Sequence, residues 1–376
     1  MEISRRRFLH RSAITALTGS IGLAGSRHGA IASAASLPRV TSLADAGKRN
    51  GILVGSAVDV RALRQSVEYS ELIRTQCSIV VAENAMKFGL MRPTPDSFFF
   101  DDSDFLVNFA RRHSIQVRGH NFVWHRQLPN WFTGYATAAN AEQLLVRHIE
   151  TVGARYAGRI HSWDVCNEVI HLEDGEPNGL RNSPWYKLLG PGYIELAFRT
   201  ARRVDPHALL CYNDYDVESE DAGQAAKRAA VLKLLGQLKS RGVPVEAMGV
   251  QGHIFAGPKH VYGKGLTDFM AAVQGMGLKL MVTEMDVNDR DLPATYAVRD
   301  QAVAERYGSF LDTALANTNV ISLLNWGLSD KYTWLNGEGS RADHLPERCL
   351  PFNEDLQPVQ AFHAELEALK RAPRRT

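Results

Sequence analysis

Cysteine is scarce in this chain. The 376 residues hold four, Cys77, Cys166, Cys211 and Cys349, far apart and without a CxxC pair, which removes the usual zinc and thiol-redox frameworks. No HExxH or comparable ligand pair occurs, and His120 and His125 stand five apart on an extended segment, so neither a metal site nor a cofactor is expected. No G-x-S-x-G elbow offers a serine nucleophile. No G-x-G-x-x-G turn follows the first two apolar runs, which argues against a dinucleotide-binding open sheet. Outside the N-terminal region, no uncharged apolar run approaches the roughly 18 residues that a membrane-spanning helix needs. After residue 40 there is no Pro/Ser-rich hinge, low-complexity linker or short-period repeat, so one domain is expected.

The N-terminus reads differently from the rest. Ser4-Arg5-Arg6-Arg7-Phe8-Leu9 matches the twin-arginine export pattern, a weakly apolar run covers Ala13 to Ala24, and Ala30-Ile31-Ala32-Ser33-Ala34-Ala35 offers cleavage positions. Residues 1–35 are therefore expected to be a signal peptide leading to the periplasm or the exterior, the alternative being a short basic leader with no export role. This segment carries five Arg and one Glu, so the formal net charge of +2 becomes about −2 once it is removed. A mildly acidic body has no electrostatic reason to bind nucleic acid or an anionic membrane. A monomer is expected. The basic residues Lys370, Arg371, Arg374 and Arg375 read as a solvated tail. The twin-arginine route moves folded proteins, so the cysteines read as small core residues, with a late bridge between Cys166 and Cys211 left open.

Eight short β-branched or apolar runs alternate with longer helical patterns. They are Ile52–Val58, Ser78–Ala82, Ile115–Gly119, His161–Val165, Ala208–Tyr212, Ala247–Gln251, Leu278–Thr283 and Val320–Asn325. Between them, Ala141–Tyr156, Tyr193–Val204 and Gln224–Ser240 carry apolar residues at helical spacing. Eight β-α units that close on themselves predict an α/β fold, a (β/α)8 TIM barrel, with a doubly wound sheet as the competing arrangement.

In such barrels the working residues sit where strands end, on the carboxyl-side face. Here polar clusters recur at that place: Glu83-Asn84 with Lys87, His120 to His125, Asn167-Glu168, Asn213-Asp214-Tyr215, Gln251 to His253, Glu284 with Asp286, and Trp326. Each has a bland reading, since an Asn-Glu pair can cap a strand and a lone His or Trp more often belongs to a core. Together they suit a sugar. Glycosidic cleavage needs a proton donor and a carboxylate facing the developing oxocarbenium charge, the roles open to Glu168 and Glu284. Trp124, Trp326 and Trp334 can cover pyranose faces, whereas Trp163 reads as core.

The ordered motifs resemble those of the family 10 glycoside hydrolases, whose best-known members are endo-β-1,4-xylanases. They are Glu83-Asn84-Ala85-Met86-Lys87, Arg118-Gly119-His120-Asn121-Phe122-Val123-Trp124-His125, Trp163-Asp164-Val165-Cys166-Asn167-Glu168, Tyr212-Asn213-Asp214-Tyr215, Gln251-Gly252-His253 and Thr283-Glu284-Met285-Asp286-Val287. Leu180-Arg181-Asn182-Ser183-Pro184-Trp185-Tyr186, and Trp326-Gly327 followed by Asp330 and Trp334, agree as spacers. The resemblance implies a catalytic domain over residues 45–368 that acts on xylan and xylo-oligosaccharides with net retention. It implies Glu168 as acid/base and Glu284 as nucleophile, with Asn167 on the sugar 2-hydroxyl and His253 and Asp286 orienting the nucleophile. It also implies sugar contacts from Glu83, Asn84, Lys87, His120, Trp124, Gln127, Gln251, Trp326 and Trp334, and places Asn213 and Tyr215 on the leaving-group side. Related β-1,4-glucanase or mixed-linkage activity, and a non-catalytic sugar-binding barrel, are the alternatives. One departure stands out: Phe88-Gly89-Leu90-Met91-Arg92-Pro93 replaces the usual Trp-Asp-Ala-Thr-Glu-Pro, which alters the loop beside sugars on the non-reducing side.

Overall fold

A computed structural model describes residues 42–337 and 340–375, and the twin-arginine segment lies outside them. The apolar runs become strands β1 (Leu53–Val58), β2 (Ile79–Ala82), β3 (Gln116–Val123), β4 (Ser162–Asn167), β5 (Leu209–Asp214), β6 (Ala247–Val250), β7 (His253–Phe255), β8 (Lys279–Asn288) and β9 (Val320–Asn325). Their order is β6-β5-β4-β3-β2-β1-β9-β8, and pairing of β6 with β8 closes the ring. Every pairing is parallel, from Gly55 against Ile79 to Val250 against Val282. The eight runs read from sequence fall on the eight barrel strands, most of them apolar on both faces as a closed, covered sheet requires, with Arg118 and Asp164 the paired exceptions. The ninth strand, β7, is an upper extension that sets His253 against Asp286 of β8.

Three helices follow the expected patterns, at Ala141–Tyr156, Gly192–Val204 and Ala222–Ser240. The last starts two residues earlier than its periodicity suggests because the Asp221 carboxylate accepts from Gln224 N and caps it. Strand register also settles the cysteines. Asp164 lies against Cys211 and Cys166 against Tyr212, and adjacent residues of a strand face opposite sides. Cys211 packs with Ala247 and Met281, whereas Cys166 belongs to the large outer core. The two thiols thus sit on opposite faces of the sheet, and all four cysteines are free and buried.

Of the basic C-terminal residues, Lys370, Arg371 and Arg374 are exposed, as expected of a solvated tail, but Arg375 is tied down. Arg375 donates to Val320 O, Leu315 O and Asn317 O at 2.8, 3.1 and 3.3 Å, and Arg371 pairs with Asp312.

Helix Ala141–Tyr156 buries Leu144, Leu145, Ile149 and Val152 together with His148. Both His148 ring nitrogens are buried without a hydrogen-bond partner, and the ring lies 4.1 Å from that of Phe88. Burial, aided by the nearby Arg92 charge, lowers its pKa to about 3. The folded-state pKa is thus below the unfolded value of about 6.5, so the unfolded chain takes up this proton first. Stability should therefore decline as pH falls through 6.5, by about 2 kcal/mol at pH 5 from this group. His148→Leu should be neutral or stabilising by about 1 kcal/mol at pH 8, and should lose about 2 kcal/mol less than the parent between pH 8 and 5. Urea midpoints at the two pH values check this; equal losses in both proteins would rule it out.

Candidate active site

The carboxyl ends of the strands surround a cleft of about 830 Å³. Fourteen of the sixteen site residues named from sequence line it, and the other two, Asn213 and Asp286, lie just beneath.

Glu284 sits within β8, 5% exposed. Its Oε1 accepts from Asn213 Nδ2 at 2.6 Å, and its Oε2 lies 3.3 Å from His253 Nε2. His253 Nδ1 is 2.9 Å from Asp286 Oδ1, and Asp286 Oδ2 accepts from Trp334 Nε1 at 2.8 Å. His120 Nδ1 approaches Glu284 Oε1 at 3.9 Å. Burial alone would raise the carboxyl's pKa, but His120, His253 and Lys87 together hold it down at about 2. Burial likewise opposes charge on His253, yet Asp286 and Glu284 carry its pKa well above that of an ordinary imidazole.

Asn213 does not line the leaving-group side. It is fully buried, and beyond Glu284 it donates to Asn167 Oδ1 at 2.9 Å and accepts from Thr283 Oγ1 at 2.7 Å. Gly249 makes room for it: a Cβ there would stand 2.1 Å from Asn213 Oδ1. Tyr215 does reach the cleft, its hydroxyl accepting from Arg181 Nη2 at 2.8 Å and its ring 3.7 Å from Lys227 Nζ.

Glu168 follows β4 with a left-handed backbone, φ +58°, a conformation that costs a non-glycine residue roughly 1–2 kcal/mol. It is held there at both ends, its N–H donating to Asn213 O at 2.9 Å and its carbonyl accepting from Arg181 Nε at 2.7 Å. The turn swings the carboxyl into the cleft. There Oε2 accepts from Trp124 Nε1 at 2.7 Å, and Oε1 from Gln251 Nε2 at 3.1 Å and Asn167 Nδ2 at 3.2 Å. Burial raises its pKa, the nearby Glu284 charge adds to that, and the Trp124 and Gln251 hydrogen bonds only partly offset it. The two glutamates are therefore biased in opposite directions within one cleft, which is how paired carboxyls divide acid and base duties.

Around them, Lys87 Nζ donates to Asn84 Oδ1 at 3.0 Å and lies 5.0 and 5.6 Å from the Trp124 and Trp326 rings. Asn84 Nδ2 donates to Glu83 Oε1 at 3.0 Å, and Gln127 Nε2 reaches Asn84 Oδ1 at 3.5 Å. Arg126, Arg181, Asp216 and Phe255 also line the cleft without having been singled out from sequence. Arg181 could have been, since it stands in a motif read only as a spacer; Phe255 falls two residues after His253 on the same strand face. Glu218 is a quieter contributor. Its buried carboxylate accepts from Gly252 N at 2.9 Å and Val217 N at 2.8 Å, fixing the turn that carries Gln251 and His253. Among the described residues, His120, Asp164 and Glu284 bring potential ligand atoms within 4.8 Å of one another. Asp164 already faces the Arg118 guanidinium and His120 Nδ1, so a cation would have to displace internal charge compensation.

A closed parallel barrel whose mouth holds two oppositely biased glutamates among amides, an ammonium and three indoles is the arrangement that the glycoside hydrolase class of protein requires. More narrowly, the family model for glycosyl hydrolase family 10 matches residues 42–368, and the chain belongs to that family. It is 34% identical over 313 residues to endo-1,4-beta-xylanase C of Paenibacillus barcinonensis, covering 75% of this chain and 28% of that protein. It is 34% identical over 335 residues to endo-1,4-beta-xylanase A of Caldicellulosiruptor sp. (strain Rt8B.4), covering 84% and 46%. The chain thus spans less than half the length of these relatives. Among solved structures, native xylanase 10B from Thermotoga maritima superposes with a TM-score of 0.80 at 33% identity, covering 88% of this chain and 98% of that one.

Proposed function

We propose that the protein hydrolyses β-1,4-xylosidic bonds within xylan with net retention, Glu284 acting as nucleophile and Glu168 as acid/base. The observation that carries this reading is the placing of the two carboxyls in one cleft, Glu284 with Asn213 Nδ2 and His253 Nε2 at 2.6 and 3.3 Å and Glu168 buried against Trp124 and Gln251, which pushes the first pKa down and the second up. Glu284 attacks the anomeric carbon while Glu168 passes its proton to the departing glycosidic oxygen. Esterification removes the charge on Glu284 and with it one of the influences raising the Glu168 pKa. Glu168 then takes a proton from water, whose oxygen bonds to the anomeric carbon as the ester bond breaks. Retention requires the carboxyls to lie roughly 5–5.5 Å apart. Asn167 is suited to the 2-hydroxyl. The Trp334 indole N–H is occupied by Asp286, so this side chain offers a sugar its ring rather than a donor. With Trp326 and Lys87 it supports selection for a pentose, which lacks an exocyclic hydroxymethyl group. The twin-arginine reading of residues 1–35 supports action outside the cytoplasm.

Product analysis on xylan and on carboxymethylcellulose, with NMR of the first reducing ends formed, tests the whole reading. Xylo-oligomers that appear first as the β-anomer, with no release from the cellulose derivative, are expected. First-formed α-anomer would overturn retention, and release from the cellulose derivative alone would overturn the substrate.

A further inference from the structure

Gln251 and His253 serve different carboxyls from the two ends of one short turn. Gln251 Nε2 donates to Glu168 Oε1 at 3.1 Å, and His253 Nε2 stands 3.3 Å from Glu284 Oε2. Between them is Gly252, whose φ of +78° lies in the left-handed region that favours glycine. The Gln251–Gly252 peptide is held at both edges. Its carbonyl, Gln251 O, accepts from Glu284 N at 2.8 Å, and its N–H donates to Glu218 Oε1 at 2.9 Å. The N–H and C=O of a trans peptide point opposite ways, so the plane is clamped between the strand of one glutamate and the side chain of Glu218.

Glu218 is itself firmly held. It is 2% exposed and does not line the cleft, so it grips the turn from behind. Its second oxygen, Oε2, accepts from Val217 N at 2.8 Å. Arg228, on the helix Ala222–Ser240, donates to Val217 O at 3.2 Å and to Ser219 O at 2.6 Å, bracing the backbone on either side of Glu218. Bonds from backbone N–H groups to a buried carboxylate are charge-assisted and directional. Burial pushes the carboxyl up to about 7; the Gly252 and Val217 N–H groups oppose this, and Asp216 adds to it. Tyr262 faces it as well.

We propose that Glu218 is a positioning residue for both glutamates, fixing through the Gln251–Gly252 peptide where Gln251 meets Glu168 and where His253 meets Glu284. This rests on the hydrolase reading above and extends it to the pH range in which the enzyme works. Releasing the turn would withdraw the Gln251 hydrogen bond, which lowers the Glu168 pKa, and the His253 contact, which lowers that of Glu284. Both carboxyls would then shift upward together. The remaining groups around them, Lys87, Arg118, His120, His125, Arg181, Asp214 and Tyr215, stand outside the turn and would act as before.

The assay is the pH dependence of kcat/KM on xylan and on an aryl xylobioside, for the parent, Glu218→Ala and Glu218→Gln. Glu218→Ala should lose about tenfold to a hundredfold on xylan at the parent's optimum. Its alkaline limb, set by Glu168, should move up by roughly half a pH unit, and the acidic limb, set by Glu284, should move up with it. Glu218→Gln keeps an oxygen for Gly252 N, as the protonated acid does, and should lie closer to the parent. Mere removal of a negative charge would act in reverse, lowering the alkaline limb equally in both variants; that result would overturn the proposal. So would a loss of activity with the alkaline limb unmoved, the mark of a residue that only supports the fold. If thermal melting shows that Glu218→Ala does not fold, Glu218→Asp, too short to reach both N–H groups at once, should show the same upward shift. Failure of the parent to cleave either substrate would instead strike the hydrolase reading, so the two failures are distinguishable.

Discussion

Glu284→Gln is expected to lower kcat/KM on xylan by about 10⁴-fold or more, since it removes the proposed nucleophile while keeping its shape. The loss should exceed that of any other single change because the whole arrangement of charge below the sugar serves this carboxylate. Asn213 Nδ2 and His253 Nε2 both aim at it, and His253 is itself supported by Asp286, which in turn holds Trp334. An amide would turn its NH2 towards one of those donors, so the substitution also disturbs the hydrogen bonds around it. Glu284→Ala separates chemistry from packing. The vacated space admits a small anion, and added azide should attack the anomeric carbon from that side while Glu168 protonates the leaving oxygen. The product expected is the α-xylosyl azide, of inverted configuration. A folded Glu284→Gln protein within tenfold of the parent would end the assignment.

The ring of eight strands was legible because short β-branched or apolar runs alternate with helical patterns, but where the strands end was not. The apolar stretch of β3 stops at Gly119 whereas the strand continues to Val123, and that of β8 stops at Thr283 whereas the strand continues to Asn288. Both strands pass through register shifts, between His120 and Val123 and between Val282 and Met285, as they leave the barrel waist. Polar residues there end the hydrophobic signal without ending the backbone, so His120, Glu284 and Asp286 lie on strands rather than beyond them. The identity of the cleft residues was readable from polarity at strand ends. Their direction was less so: whether Asn213 points to the sugar or beneath the nucleophile depends on space left by Gly249 and on a partner, Thr283, 70 residues away. Arg375 misled for a related reason. Charge suggests water, and only the folded chain brings the guanidinium to three backbone carbonyls. His148 is the reverse case, a helix-stripe position where spacing correctly implies burial even though the ring finds no partner.

Glu168→Ala should behave differently from any change at Glu284, because protonation matters in proportion to how poor the leaving group is. On xylan, whose departing sugar hydroxyl is a weak acid, a loss of about 10²–10⁴-fold is expected. On an aryl xylobioside with an acidic phenol, glycosylation should be nearly unaffected, while hydrolysis of the ester on Glu284 slows for want of a base. Phenol should then appear as a burst equal to the enzyme concentration. Azide should restore turnover and yield the β-xylosyl azide, because it attacks the face opposite Glu284. The pH profile carries the same distinction. In the proposed roles activity needs Glu168 protonated and Glu284 ionised, so the alkaline limb of kcat/KM should report Glu168, whose pKa burial and the Glu284 charge raise. That limb should vanish in Glu168→Gln, since the amide has no proton to lose, whereas the acidic limb, set by Glu284 held near 2, should persist down to the pH at which the fold fails. If xylan and aryl xylobioside lost activity equally in Glu168→Ala, with no azide product and an unchanged alkaline limb in Glu168→Gln, Glu168 would be supporting the cleft rather than moving the proton.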